Sequence, residues 1–210
     1  MSERRGTLGT RSPVIGLIGP IGCGKSQVAR WLAGRGAIVI DADELTREAM
    51  APGTAVTRAI VDRFGADVAR QDGSIDRAAL GRVVFADPLR LAELESIVHP
   101  AVTKLERGAI RAADARRPRA IVLEAIRLVE AGHVAWCDEV WLVDCDPGTQ
   151  LARLAGRGTG EPDARQRVAA QAASLPLWRA SATRILRTDG DLVATERAVA
   201  DALEAATRAR

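Results

Sequence analysis

The sequence predicts an α/β fold in which helices flank a parallel β-sheet of five strands. Short apolar runs rich in β-branched residues alternate along the chain with segments whose apolar residues recur at helical spacing. This alternation is typical of βαβ units, whose strands run parallel. The chain has 210 residues, of which 47% are hydrophobic and 27% charged, so it can bury one core and carry a modest insertion.

Five short runs are predicted to be the strands, and the last of them has the weakest pattern. The first is apolar and β-branched, as expected for a strand buried in a sheet. The predicted strands are Val14–Ile18, Ala37–Ile40, Ala120–Glu124, Glu139–Asp144 and Arg184–Arg187.

The predicted helices lie between these strands, and one of them is long. In that helix, from Pro88 to about Arg111, the apolar residues follow helical spacing, and we expect Pro100 to bend it. The glycine-rich, charged segment Gly156–Asp163 is predicted to be a mobile loop. The other predicted helices are Lys25–Ala33, Asp43–Met50, Val56–Phe64, Pro147–Leu154, Ala164–Ser174 and Asp191–Ala206.

The charge, the cysteines and the apolar runs of the chain limit the functions that we expect for it. The net charge is +3, but the arginines are scattered, which favours a solvated surface over a nucleic-acid interface. Cys23, Cys137 and Cys145 are an odd and dispersed set, which predicts no disulfide framework and a reducing compartment. No run suits a signal peptide or a membrane span, so we expect a cytoplasmic protein with no membrane partner, as a monomer or weak homo-oligomer.

The strongest motif follows the first predicted strand. Residues Gly19 to Ser26 fit G-x-x-x-x-G-K-[ST], and they lie between a predicted strand and a predicted helix, the context that confirms the motif. Glycines let successive N–H groups surround phosphate oxygens, and the helix adds its positive end. We expect Lys25 to reach the β- and γ-phosphates of ATP and Ser26 to bind Mg²⁺. The predicted nucleotide-binding residues are Gly19, Ile21, Gly22, Cys23, Gly24, Lys25, Ser26, Gln27 and Arg157.

Residue usage supports this prediction. Only two of the 30 Lys and Arg residues are lysines, Lys25 and Lys104. Position 25 therefore has a lysine in a chain whose composition otherwise strongly favours arginine. A compact ammonium suits that position better than a wide guanidinium. Cys23 in the loop is interpreted as a small residue in a variable position; the alternative is a redox-sensitive residue whose oxidation could block ATP binding.

Carboxylates after the second predicted strand point to a kinase. Ligands of α/β sheets bind beyond the carboxyl ends of the strands, which places Asp41 and Asp43 near the phosphate site. Either carboxylate could accept the proton of an attacking hydroxyl, or it could cap the next helix. The two roles stay equally open for Asp41, and catalysis is favoured for Asp43. Arg47, one helical turn later, could bind a substrate phosphate or be solvated.

Arginines further along could close over ATP. Gln150, Arg153 and Arg157 lie along a predicted helix that leads into the predicted loop. An arginine there would exclude water and neutralise charge, or it would simply be exposed.

His99 lies in the long amphipathic helix, where a lone histidine is more often structural than catalytic.

Together these features resemble the dephospho-CoA kinase family from Val14 to about Val199. The most specific segments are Asp41-Ala42-Asp43 with Arg47, Ile75-Asp76-Arg77, and His99-Pro100, in this order. Further matching segments are Pro52-Gly53, Phe64-Gly65, Val84-Phe85, Leu94-Glu95, Gln150 with Arg153, Leu154 and Arg157, and Arg167-Val168 with Gln171.

The resemblance implies a P-loop fold and a function. ATP would phosphorylate the ribose 3′-hydroxyl of dephospho-CoA, with Asp43 as base, Arg157 as lid arginine and Mg²⁺ as cofactor. The implied parts are a flexible N-terminus (1–12), a core (13–51 and 117–210), a helical substrate-binding insertion (about 52–116) and a lid (about 155–165). Asp43, Arg47, His99 and Glu124 would bind substrate, and Glu124 would assist Ser26 with Mg²⁺ through water.

Three positions depart from the family pattern. Glu124 stands where the family usually has aspartate, Arg127 where it is apolar, and Thr188 where it has asparagine near the adenine. Two other functions therefore stay open at this point. One is a different small-molecule P-loop kinase, such as one for shikimate or gluconate, and the other is a nucleotide-binding regulator that has lost catalysis.

Overall fold

A computed structural model describes residues 8–208 and contains the five predicted strands. The prediction is confirmed to within one residue at every strand end, because only the second strand is longer than predicted, by Asp41. Residues 1–7 of the predicted flexible N-terminus lie outside the described range. The strands are β1 (Val14–Ile18), β2 (Ala37–Asp41), β3 (Ala120–Glu124), β4 (Glu139–Asp144) and β5 (Arg184–Arg187).

The strands form one sheet in the order β2-β3-β1-β4-β5. β1 pairs in parallel with both β3 and β4, and β4 pairs in parallel with β5. Leu17 of β1 is opposite Glu124, the last residue of β3, and Ile18 is opposite Leu142 of β4. The segments that follow β1, β3 and β4 therefore begin at the same edge of the sheet.

Nine α-helices occur within the described residues. Their bounds are α1 (Lys25–Ala33), α2 (Ala42–Ala49), α3 (Ala55–Phe64), α4 (Arg77–Val84), α5 (Pro88–Ala115), α6 (Pro147–Ala155), α7 (Glu161–Ala172), α8 (Leu175–Ser181) and α9 (Leu192–Arg208).

Both faces of the sheet are covered, which explains the continuous apolar runs. On one face, Leu17 and Trp141 belong to a buried cluster with Leu32 of α1 and Leu203 of α9. On the other face, Gly16 lies so close to the Leu128 and Cys137 side chains that a Cβ would come within 2.9 Å of each. Side chains that point to either face of the sheet are thus buried, as is typical of parallel sheets.

The structure differs from the predicted helices in three places. The predicted loop Gly156–Asp163 is shorter, because α7 already begins at Glu161; a proline and two acidic residues suit the first turn of a helix. The sequence patterns also missed α4 and α8, which have only eight and seven residues and so offer little periodicity. The long helix α5 is present, ends four residues later than predicted and contains Pro100 in its interior.

The chain divides into two compact units. Asp41–Ile110 forms one, and the described residues before and after it, which include nearly the whole sheet, form the other. The first of these units has its own apolar core, in which Ile60, Val68, Leu80 and Val84 are buried. Within the described residues, no helix has both the length and the apolar character needed to cross a bilayer.

Candidate active site

The turn between β1 and α1 has a backbone that favours glycine at three positions. At Gly19, whose φ is 155°, a Cβ would lie 2.3 Å from the Val143 carbonyl oxygen. Gly22 has a φ of 82° and Gly24 a φ of 86°, both in the left-handed region. A Cβ on Gly22 would also lie only 3.0 Å from the Cα of Gln150 on α6. The glycine-rich motif therefore forms a tight turn that leads directly into α1.

The N-terminus of α1 differs from those of the next three helices, α2, α3 and α4. Its N-cap residue is Gly24, no side chain caps it, and its first turn has no acidic residue. By contrast, Asp41, Thr54 and Asp76 cap α2, α3 and α4. The first N–H groups of α1, at the positive end of the helix dipole, can therefore bind an anion.

Two predicted residues from distant parts of the sequence meet at this turn. The Lys25 Nζ atom lies 2.6 Å from the Glu124 Oε1 atom, and the side chains are only 14% and 12% exposed. The Ser26 hydroxyl donates a longer hydrogen bond, of 3.4 Å, to the same oxygen. The sheet explains this meeting, because Glu124 ends β3 beside β1, whose following turn carries Lys25 and Ser26.

A cleft of about 630 Å³ opens beside the phosphate loop. It brings together four residues predicted to bind ATP, namely Gly24, Ser26, Gln27 and Arg157, which follows the end of α6. Arg153, which could close over ATP, and Thr188, implied to lie near the adenine, line it as well. Sequence patterns did not single out the remaining lining residues, Arg30, Trp31, Gly156, Leu192 and Thr195. Spacing on α1 could have identified Arg30 and Trp31, which lie one turn after Ser26 and Gln27, whereas the residues of α9 carry no local signal.

The amide of Ile21, a predicted loop residue, is bonded to a side chain from a distant part of the sequence. Its N–H donates a 2.7 Å hydrogen bond to the Gln171 Oε1 atom of α7. The far end of α7 is therefore attached to the phosphate loop, and Ile21 binds the protein itself through this amide.

The prediction that the cysteines form no disulfide is wrong for two of them. Cys23 in the phosphate loop and Cys145 after β4 are joined by a disulfide bond, while Cys137 is a buried thiol. A separation of 122 residues hides this pairing from sequence patterns. The pairing of β1 with β4 brings the two cysteines together, because each follows its strand at the same sheet edge. The prediction of a reducing compartment, which rested on unpaired cysteines, loses that support.

Asp43 and Arg47 lie together in a different pocket, within the unit Asp41–Ile110. This pocket has a volume of about 360 Å³, and both side chains come from α2. Arg77 of α4 and the largely exposed ring of Phe85 line it as well. Asp43, Arg47 and Arg77 are exposed, and within the described residues none of their side chains is hydrogen-bonded or ion-paired to another residue. These charged groups can therefore bind a ligand.

The structure separates the two aspartates that follow β2. Asp41 caps α2, because its Oδ1 atom accepts hydrogen bonds from the Asp43 and Glu44 amides at 2.8 and 3.2 Å. Its capping role is thus confirmed. Asp43 instead lines the pocket. His99, predicted to bind substrate, is exposed on α5 and is not among the described residues that line either cavity.

The fold and the phosphate loop define a P-loop kinase. A model of the dephospho-CoA kinase family matches residues 13–194, so the chain belongs to that family. A dephospho-CoA kinase of Geobacter metallireducens is 50% identical over 161 residues, which cover 75% of this chain and 79% of that protein. Another, of Symbiobacterium thermophilum, is 46% identical over 92% of this chain and 81% of its own length.

A solved structure also matches most of the chain. The crystal structure of TT1252 from Thermus thermophilus has 31% sequence identity and a TM-score of 0.77. The match covers 92% of this chain and 97% of the Thermus protein.

Proposed function

We propose that this chain transfers the γ-phosphate of ATP to the ribose 3′-hydroxyl of dephospho-CoA, which yields CoA and ADP. Family membership over residues 13–194 supports this substrate pair. The observation that carries the ATP half of the proposal is the uncapped start of α1 behind a glycine-rich turn, with Lys25 beside it.

ATP binds in the cleft beside the phosphate loop. The loop amides and Lys25 take the β- and γ-phosphates, and Arg157 adds a second positive charge from the segment after α6. Glu124 holds the Lys25 ammonium group in place before the nucleotide arrives. We assign the lid to about residues 155–165, because Arg157 and the short connection to α7 lie there.

The acceptor binds in the pocket that contains Asp43, Arg47 and Arg77, and about residues 52–116 form the substrate-binding insertion. Two arginines suit a substrate that carries phosphate groups, because a guanidinium can donate two parallel hydrogen bonds to phosphate oxygens. Asp43 accepts the proton of the 3′-hydroxyl. As that oxygen forms its bond to the γ-phosphorus, the bond from this phosphorus to the β–γ bridging oxygen breaks, and ADP leaves with the electron pair.

The residues beside the loop suit Mg²⁺. Ser26 and Glu124 offer oxygen atoms, the ligands that Mg²⁺ prefers, and no group of three or more His, Cys, Asp or Glu residues in the described chain could form an all-protein metal site. A metal held by one or two side chains and by substrate phosphates fits this donor set. The ion would neutralise charge on the transferred phosphate.

A phosphate-transfer assay with an acceptor panel tests the proposal. Purified protein is incubated with Mg-ATP and dephospho-CoA, shikimate or gluconate, and ADP and the phosphorylated product are measured by chromatography and mass spectrometry. We expect one phosphate to be added to dephospho-CoA alone. Transfer only to shikimate or gluconate, or ATP binding without any transfer at high enzyme concentration, would reject the proposed function.

A further inference from the structure

Thr188 is a buried residue at the edge of the ATP cleft whose hydroxyl is fully engaged with the protein. It follows β5 and is 6% exposed. Its Oγ1 atom donates a 2.7 Å hydrogen bond to the carbonyl oxygen of Cys23 in the phosphate loop. The same oxygen accepts a 3.0 Å hydrogen bond from the Arg153 Nη1 atom. The hydroxyl therefore joins the loop to the arginine.

Arg153 extends this link to a second loop carbonyl. Its Nη1 atom lies 3.3 Å from the Gly22 oxygen, and its Nη2 atom donates a 2.5 Å hydrogen bond to the Thr188 carbonyl. One guanidinium group of α6 thus binds the phosphate loop and the segment after β5 together. These simultaneous hydrogen bonds require a planar group with several N–H donors, which arginine provides.

These contacts fix the direction of a peptide group that ATP needs. The C=O and N–H of one trans peptide point in opposite directions, so holding the Cys23 oxygen toward Thr188 turns the Gly24 N–H the other way. Gly24 precedes Lys25 in the cradle, and its amide is one of those expected to hold phosphate oxygens. If the hydroxyl were removed, the Cys23 carbonyl would lose this partner, and the peptide could rotate.

Thr188 itself is held in place from two sides. Its N–H donates a 3.0 Å hydrogen bond to the Asp144 carbonyl at the end of β4. Arg187, the preceding residue, forms ion pairs with Asp146 and Asp189 at 2.8 and 2.5 Å. The hydroxyl is therefore presented to the loop by a rigid support.

We propose that Thr188 is a positioning residue for ATP: its hydroxyl, together with Arg153, orients the phosphate loop for the nucleotide. This inference rests on the proposed function of the loop, because it concerns how that site holds ATP. It assigns to Thr188 a role toward the phosphate loop, whereas the resemblance described in the sequence analysis implied only proximity to the adenine.

Matched substitutions of the full-length, disulfide-bonded protein test the inference. Thr188→Val removes the hydroxyl at nearly constant volume, and Thr188→Ser keeps it. Thr183→Val is the control for general damage, because the Thr183 hydroxyl also bonds to backbone, at Val140, but at the start of β5. The Kd for Mg-ATP is measured by calorimetry, both KM values and kcat by the transfer assay, and stability by denaturant unfolding.

We expect Thr188→Val to raise the Kd and KM for ATP roughly tenfold, the effect of leaving one buried acceptor without its partner. The KM for dephospho-CoA and kcat at saturating ATP should change less than the KM for ATP, and Thr188→Ser should restore most of the ATP affinity. Thr183→Val should reduce stability without this selective loss.

Three results would overturn the inference while the proposed function stands. Thr188→Val could bind ATP as tightly as wild type, Thr188→Ser could lose as much affinity as Thr188→Val, or Thr183→Val could raise the KM for ATP equally. A wild-type protein that transfers no phosphate to dephospho-CoA would instead reject the proposed function itself.

Discussion

The cleft beside the phosphate loop, which is the proposed ATP site, and the pocket in Asp41–Ile110 are built in different ways. The cleft depends on backbone geometry: glycines at positive φ, an uncapped helix, and carbonyls held by Thr188 and Arg153. The other pocket depends on exposed side chains from separate helices, such as Asp43 and Arg77. A site built from the backbone presents several N–H donors at once. A site built from side chains presents fewer groups, and in this pocket the described charged groups have no partner in the protein.

This difference predicts that substitutions in the two regions will act on different kinetic constants. Changes in the cleft should act on ATP, and changes in the other pocket should act on the acceptor or on proton transfer.

Asp43→Asn should have a large effect, and this effect should fall on turnover. Loss of a general base reduces kcat by about 10²-fold or more, while ATP affinity should stay nearly unchanged because Asp43 lines the other pocket. Steady-state kinetics and ATP binding measure both quantities. Glu44→Gln, the next position on the same helix, is the matched control. Wild-type turnover in Asp43→Asn would remove Asp43 from its proposed role.

Lys25→Ala should lower kcat/KM by roughly 10²- to 10³-fold, since it removes a charged donor aimed at the transferred phosphate. Unlike Asp43→Asn, it should also weaken ATP binding, and it leaves Glu124 without its ion-pair partner. Lys104→Ala, at the only other lysine, is the control. Wild-type ATP affinity in Lys25→Ala would contradict the phosphate-loop assignment.

Cys145→Ser should reduce the free energy of unfolding by roughly 2–5 kcal/mol, because it opens a covalent loop with a sequence separation of 122 residues. Denaturant titrations with and without a reducing agent measure this loss. Reduction should destabilise wild type and Cys137→Ser but not Cys145→Ser. If reduction left wild-type stability unchanged, the restraint on the phosphate loop would be only non-covalent.

Arg77→Gln should raise the KM for dephospho-CoA roughly tenfold, the cost of one charge-assisted hydrogen bond, with a smaller change in the KM for ATP. Arg82→Gln is a control on the same helix, because Arg82 does not line the pocket among the described residues. An equal rise in the KM for ATP would show that the two regions do not divide the substrates.

The smallest effect concerns Asp114, which lies outside both regions. Burial acts to raise its pKa, but hydrogen bonds from the Ser12 and Arg11 amides outweigh burial and hold the pKa below its usual value. A lowered folded-state pKa stabilises the fold above the unfolded pKa of about 3.9, and this contribution is lost as pH falls through the folded pKa. Asp114→Asn should therefore cost less than about 1 kcal/mol at neutral pH.

Unfolding titrations between about pH 7 and pH 3 measure this difference, which should shrink at the acidic end. A difference that grew on acidification would contradict the assignment. Neither KM should respond to Asp114→Asn, so the same variant also checks that the kinetic effects above are local.

Local sequence signals predicted the sheet and the phosphate loop well. The strands are apolar and bounded by turns, and the loop is one contiguous motif whose glycines and lysine act within a few residues. The shorter elements were harder: α4 and α8 span too few residues for periodicity, and the first turn of α7 was predicted to belong to a glycine-rich loop.

The sequence by itself determined the α/β class and the position of the phosphate loop, and it identified Asp43 and Arg47 as candidates, because each depends on neighbours along the chain. Only the tertiary structure decided that Lys25 pairs with Glu124, that Cys23 bonds to Cys145 and that Thr188 holds the loop. These partners lie about 100 or more residues apart, and parallel strand pairing, which brings the ends of distant strands to one sheet edge, is what places them together.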